Sequence, residues 1–283
     1  MTGDVHTPSA LEFERAAYRR RRSTRSVLIA IVSTLVFAAI AWITIVSTPG
    51  WPAVQQMYFD PATAWKALPR VWEGFLLNLQ VLVYSLITVP IFATILALLR
   101  TLPGPVFVPV RFLAAAYTDI FRGIPLIIVL YLVGFGIPTL LNTRIPLAVL
   151  GTAAITITYS AYVGEVIRAG IEAVHPSQRL AARAMGLGHG QTLRHVVLPQ
   201  ALRKMTPPLM NDFVALQKDV GLISIIGAMD AVRAAQIETS LAYNFTPYVV
   251  AALLFVLLAI PTIRVTDWYT AKLARREQMG SIV

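Results

Sequence analysis

The sequence predicts an all-α membrane protein with six transmembrane helices, and three observations carry that prediction. Of its 283 residues, 57% are hydrophobic and only 13% are charged, about half the charged share of an ordinary soluble domain (roughly 25%). The apolar residues gather into long charge-free runs, and about 20 such residues in a helix cross a hydrocarbon core of roughly 30 Å. The basic residues sit almost entirely on alternate connecting segments, as the positive-inside rule demands of a multi-pass chain.

The elements follow in order. Residues 1–26 form a basic tail in which Arg15, Arg19, Arg20, Arg21, Arg22 and Arg25 stand just ahead of the first span, so this end is expected to be cytoplasmic. Arg19, Arg20, Arg21 and Arg22 can rest on anionic headgroups or act as a plain orientation anchor. The first helix is expected over 27–47, closed by Pro49, Gly50 and Pro52. No small-residue cleavage site follows it, so it is read as an anchor and not as a signal peptide. An extracytoplasmic segment, 48–70, carries Trp51, Tyr58, Phe59 and Trp65, suited to a membrane boundary or to a partner protein.

Further runs cover 74–99, 123–143, 145–164 and 239–263. A fifth span is expected over 204–233 although Asp212, Lys218, Asp219 and Asp230 interrupt it. Charges at bilayer depth cost about 2.5–3.5 kcal/mol each on insertion scales, so this helix should face protein or a watery path. Six crossings return the chain to the cytoplasm at a tail, 273–283, flanked by Lys272, Arg275 and Arg276. Of 24 basic residues, Lys66, Arg70, Arg144 and Arg233 alone fall on the expected outer side. The net charge of +10 is thus mainly a topology signal, and nucleic acid is not an expected partner.

Composition closes other routes. There is no cysteine, and His6, His175, His189 and His195 are scattered without metal-ligand spacing. A membrane-embedded enzyme would need a catalytic cluster at depth, and none is present. A stand-alone ion-driven carrier or channel, the alternative reading, predicts inverted repeats, and no repeat is found.

The longest expected cytoplasmic segment, 173–205, contains Gly186-Leu187-Gly188-His189-Gly190-Gln191-Thr192. A phosphate loop would need glycine and lysine at five and six residues beyond Gly186. Those places hold Gln191 and Thr192, and Gln191 also occupies the third glycine position of a dinucleotide fingerprint. The stretch reads instead as two short helices about a glycine corner: residues 176–185, Gly186 in the left-handed conformation, then a second helix from Gln191 with Leu193, Val196 and Val197 on one face and Pro199 interrupting it.

This segment resembles the EAA loop of ABC importer permeases, whose pattern is E-A-A, three residues, Gly, nine residues, then I-x-L-P. Ala181, Ala182, Gly186, Val196, Leu198 and Pro199 match at those spacings, while Leu180 stands where the pattern has glutamate. Three more stretches are similar to the polar amino acid branch: Asp119 to Leu126 (DIFRGIPL), Tyr162 to Ile171 (YVGEVIRAGI) and Lys218 to Ser224 (KDVGLIS). Together they cover about 74–276.

The resemblance implies a five-helix type I ABC importer core, residues 71–272, with one extra N-terminal helix. It implies a permease subunit of an ATP-driven importer in a bacterial inner membrane, not itself an enzyme. Its partners would be a second permease subunit (identical or not), two cytoplasmic ATPases, an extracytoplasmic substrate-binding protein and membrane lipid. No cofactor is expected on this chain; ATP and magnesium would belong to the ATPase. The extra span and basic tail look like glutamate-system permeases, which makes an acidic amino acid the first expectation.

Site expectations follow. Leu180, Ala181, Ala182, Arg183, Gly186, Leu187 and Gly188 are the expected coupling surface, with Arg179 and Arg194 offering further charge to an acidic rim. Glu165 and Arg168, three apart on one helix face, are candidates either for the translocation path or for a structural ion pair. Lys218 and Asp219 are further path candidates, and Asp119 is expected to pair with Arg122.

Overall fold

The structure, a computed structural model, describes residues 10–102 and 104–280. Expectations for residues 1–9 and 281–283 of the two tails lie outside the described residues. The chain divides into two units, Met1–Gln56 and Met57–Val283.

In the first unit, α1 runs Ala10–Val46 without a break. The tail expected over 1–26 is therefore helical from Ala10, because Ala, Leu, Glu and Arg, all strong helix formers, fill its sequence. A short helix, α2 (Trp51–Tyr58), follows, so the expected loop over 48–70 is largely helical.

In the second unit, α3 (Pro61–Thr101) is capped by Asp60, whose carboxylate accepts the Ala62 and Thr63 amides. At 1.5 Å per residue α3 is about 62 Å long, twice the hydrocarbon thickness, so its first turns stand outside the bilayer. Phe245 donates its amide to the Met57 carbonyl at 2.7 Å and stacks on Tyr58 at 5.2 Å. The outer aromatics are thus partly used within the chain.

The third expected span departs from the sequence reading. Helix α4 (Val108–Gly123) meets the run α5 (Leu126–Tyr131), a π turn (Leu132–Gly136) and α6 (Ile137–Leu141) at 105°. The corner is set by Pro125, which pushes Ile124 to extended dihedrals and lacks a donor of its own. Then comes α7 (Leu147–Glu172), a full-length span.

The fifth span is also broken. Helix α10 (Leu198–Asp219) tightens into a 3₁₀ segment, Val220–Ile226, that ends at Gly227; α11 (Ala231–Ala242) follows at 55°. The last helix, α12 (Thr246–Gly280), starts seven residues later than expected. Among the described residues, four helices are long and apolar enough to cross a membrane alone, and with each bent pair taken as one span the total is six. The count of spans holds, with two of them angled.

Helices α3 and α7 form the centre of the bundle. Ala93, Ala97, Ala154 and Ala161 are buried there and let the backbones approach, the usual basis of helix association where no water drives it. Leu130, Ile155, Val220 and Ile223 fill the space beside them. One polar knot fastens this core. Buried Asn78 donates to the Val220 carbonyl at 2.9 Å and to the Asp230 carboxylate at 3.0 Å, and accepts the Ala231 amide at 3.0 Å. Asp230 in turn caps α11 by accepting the Arg233 amide at 2.8 Å. One turn before Asn78, Gly74 lies so close that a Cβ there would stand 2.4 Å from the Asp230 carbonyl carbon.

Two substitutions test the knot. Gly74→Leu should destabilise the fold by about 3 kcal/mol through overpacking, and Asn78→Leu by roughly 1–3 kcal/mol by leaving buried acceptors without a donor. Both should appear as lowered thermal midpoints of the detergent-solubilised chain, with Gly74→Ala intermediate.

Candidate functional site

The expected coupling segment is a compact helical corner. Helix α8 (Pro176–Ala184) begins with His175 Nδ1 accepting the Ser177 amide at 3.3 Å and with proline at its first position. It ends as a Schellman motif: Gly186 has φ +82°, its amide donates to the Arg183 carbonyl, and the Leu187 amide donates to the Ala182 carbonyl. Gly188 then opens α9 (His189–Thr192), its amide donating to Gln191 Oε1 at 3.0 Å, half of a capping box. Gln191, the residue that disqualifies a phosphate loop, thus builds the second helix start.

Of the expected surface, Leu180, Ala181, Arg183, Gly186 and Gly188 are exposed, Leu187 is half-buried, and Ala182 is fully buried. Arg194 is exposed. Arg179 turns back, donating from Nη2 to the Ile171 carbonyl at 2.6 Å, so it braces the loop instead of extending from it. Val174, Val197 and Ala201 form a small core beneath the corner.

Pro199 does not interrupt the second helix. A π turn, Leu193–Val197, precedes it, with the Leu198 amide donating to the Leu193 carbonyl. The wider turn shifts hydrogen bonding by one residue where proline has no donor, and the chain runs on into α10. Pro207 and Pro208 likewise lie inside α10.

Glu165 and Arg168 do meet, in a larger chain of charges. Glu165 Oε1 lies 2.5 Å from Arg168 Nη2, and Glu165 Oε2 lies 2.5 Å from Arg100 Nη1; Arg168 also pairs with Glu172. Arg100, at the end of α3, was missed by the sequence reading. It closes the apolar run over 74–99, which is the signal that could have found it. Arg100, Glu165 and Arg168 are about one-fifth exposed while Glu172 is 56% exposed, so the two pairs on Glu165 are less screened than surface ones.

Lys218 and Asp219 do not come together. Lys218 is exposed, while Asp219 accepts the Tyr159 hydroxyl at 2.7 Å. Nor does Asp119 pair with Arg122: the guanidinium lies 5.9 Å from the Tyr162 ring centroid, and Tyr162 donates to the Arg122 carbonyl. The guanidinium is within cation–π reach of the ring, and Asp119 is exposed. Tyr159, Tyr162, Asp212 and Asp219 line one chamber of about 270 Å³ between α7 and α10. Asp212 Oδ2 is buried there without a hydrogen-bond partner.

Two of the membrane spans, the third and the fifth, are bent, and a capped helical corner lies between the fourth and the fifth. Residues 106–276 match the family described as binding-protein-dependent transport system inner membrane component, and the chain belongs to it. The resemblance read from the four motifs therefore holds: this is a permease, an integral inner-membrane transport component and not an enzyme.

Its relatives include the arginine transport system permease protein ArtQ of Bacillus subtilis, 32% identical over 72% of this chain and 92% of that protein. The probable glutamine ABC transporter permease protein GlnP of the same organism is 32% identical over 70% of this chain and 91% of its own length. Among solved structures, an amino acid ABC transporter chain superposes with TM-score 0.69 at 30% identity, over 76% of this chain and all of that one. A methionine ABC transporter chain, at 22% identity and TM-score 0.53 over 76% of this chain and 99% of that one, shares the fold.

The charge chain makes a separable prediction. Glu165→Gln removes the carboxylate charge that Arg100 and Arg168 share and should cost about 1–3 kcal/mol, between a surface and a buried pair. The exchange Arg100→Glu with Glu165→Arg should lose less than Arg100→Glu alone in a thermal-unfolding double-mutant cycle. Additivity of the single effects would show that the pair contributes nothing.

Proposed function

We propose that this chain is the permease subunit of an ATP-driven amino acid importer and that its α8–Gly186–α9 corner is the surface that meets a cytoplasmic ATPase. The observation that carries the reading is the corner itself: an exposed helix fixed at both ends by caps and braced by Arg179 on the end of α7. A helix so fastened moves with the span it is joined to. Leu180, Ala181 and Arg183 form the outward contact, Gly186, Leu187 and Gly188 shape the corner, and Ala182 is buried within it.

In this reading both chain ends are cytoplasmic, consistent with the basic residues beside the first and last spans. A second permease subunit completes the path, a substrate-binding protein delivers cargo from outside, and ATP and magnesium belong to the ATPase. Glu165 and Arg168 act as a lock between α3 and α7 and not as cargo ligands, because their charges are already engaged.

Cargo contact is assigned to the chamber of Asp212, Asp219, Tyr159 and Tyr162. The two carboxylates suit an ammonium group; Arg122 already lies over the Tyr162 ring and Asp219 already accepts the Tyr159 hydroxyl, which leaves the Asp212 Oδ2 without a hydrogen-bond partner as the open acceptor. The expectation of an acidic amino acid rests on the N-terminal extension alone. The chamber, together with the arginine and glutamine named for the relatives, favours a neutral polar or basic amino acid.

Reconstituted with its ATPase and binding protein, the chain should import only with ATP; transport by the chain alone would overturn the importer reading. Gly186→Asp, strained at φ +82°, should release the ATPase on co-purification while leaving the chain in the membrane. Asp212→Asn should raise the half-saturating concentration of labelled arginine or glutamine about tenfold, the loss of one charged hydrogen bond. Preferential competition by glutamate would reverse the cargo assignment.

A further inference from the structure

The chamber between α7 and α10 holds more than its two carboxylates. Its wall includes Thr158, Tyr159 and Tyr162 of α7, Asp212 and Asp219 of α10, and the corner at Pro125. Both tyrosine hydroxyls are already committed. Tyr159 donates to Asp219 Oδ2 at 2.7 Å, and Tyr162 donates to the Arg122 carbonyl at 3.0 Å. Two buried oxygens of the wall residues are left without a partner: Asp212 Oδ2 and Thr158 Oγ1.

The Thr158 hydroxyl departs from the habit of this fold. A helical threonine can turn Oγ1 back to the carbonyl four residues earlier. Thr88, Thr118, Thr152 and Thr266 all do so, at 2.8–3.0 Å, and Thr152 lies on α7 itself. Thr158 has the same option in the Ala154 carbonyl and does not take it. The residue is 3% exposed, and a buried hydroxyl without a bond is a net cost. Placed in a cavity wall, it calls for a polar occupant. The chamber volume of about 270 Å³ is far more than a single bridging water needs (about 15 Å³).

We infer that the Thr158 hydroxyl is a specificity-determining cargo contact, accepting one N–H of an amino acid's α-ammonium group while Asp212 accepts another. An ammonium group of this kind brings three donors and no acceptor, so it can answer both unbonded oxygens at once. A cargo carboxylate at the same place would face two like charges, Asp212 and Asp219. The α-ammonium is common to amino acids of every side chain, so this contact reads the class of cargo and leaves the side chain to other walls. The inference rests on the reading of this chamber as the cargo site, and it adds to the acidic pair a neutral residue of α7.

The full chain, with its ATPase in nanodiscs and without nucleotide, would be titrated with labelled arginine, glutamine and agmatine. Thr158→Val keeps the branched shape and removes only an unbonded hydroxyl, so its thermal midpoint should equal or exceed that of wild type. Its dissociation constants for arginine and glutamine should each rise about tenfold, the loss of one charged hydrogen bond. Thr158→Ser restores the hydroxyl and should bind as wild type does. Agmatine, which is arginine without its carboxylate, should show the same tenfold ratio.

Unchanged binding in Thr158→Val, beside weakened binding in Asp212→Asn, would overturn the Thr158 contact and leave the chamber standing. Unchanged binding in both, or none to wild type, would overturn the chamber as the cargo site as well. A loss for arginine alone would move the contact to the side chain, and a ratio near one for agmatine would move it to the carboxylate; either overturns the inference. Equal losses in Thr158→Ser and Thr158→Val would reduce the residue to packing.

Discussion

The second unit is organised around one buried amide. Asn78 donates to a carbonyl where α10 tightens into the 3₁₀ segment and to the carboxylate that starts α11, and it accepts the first amide of that helix. A broken span inside a membrane exposes polar backbone that lipid cannot solvate, and such breaks survive only where protein supplies partners. Asn78 supplies them from α3, and Gly74 lets the turn come near enough for contact. The two halves of the fifth span, and the chamber wall that α10 provides, depend on this one arrangement.

At the other end of α3, charge does the fastening. Arg100 and Arg168 share Glu165, tying the ends of α3 and α7 just above the corner that carries α8. Arg179 adds a direct bond from α8 back to α7. Force applied to α8 in the proposed assembly therefore reaches α3 and α7 together, through groups with little freedom to yield.

Much of the fold was legible in the sequence because lipid imposes a blunt code. Six apolar runs, arginines before the first and after the last, and Gly186 at a helix end were all readable from residue type. Breaks were less so. The 105° corner at Pro125 and the 3₁₀ segment after Asp219 lie within unbroken hydrophobicity, which records burial and not direction. Asp230 reads in the sequence as a charge to be explained by a watery path, yet it is a helix cap, a role that required knowing that Asn78 lay opposite. The coupling residues could be picked by motif, but the partition of Arg179 inward and Arg183 outward is a matter of tertiary placement. Tyr159 carries no periodic signal at all; its hydroxyl matters because Asp219 is across from it.

The π turn before Pro199 has a mechanical meaning. By widening one turn it absorbs the missing donor of proline without ending the helix, so the corner and α10 form a single shaft from Leu193 to Asp219. Asp212 and Asp219 sit two turns apart on that shaft and so point the same way. Torsion entering at α9 would arrive as rotation of both carboxylates at once, turning them toward or away from whatever lies in the chamber. A shaft broken at Pro199 would lose that twist at the joint.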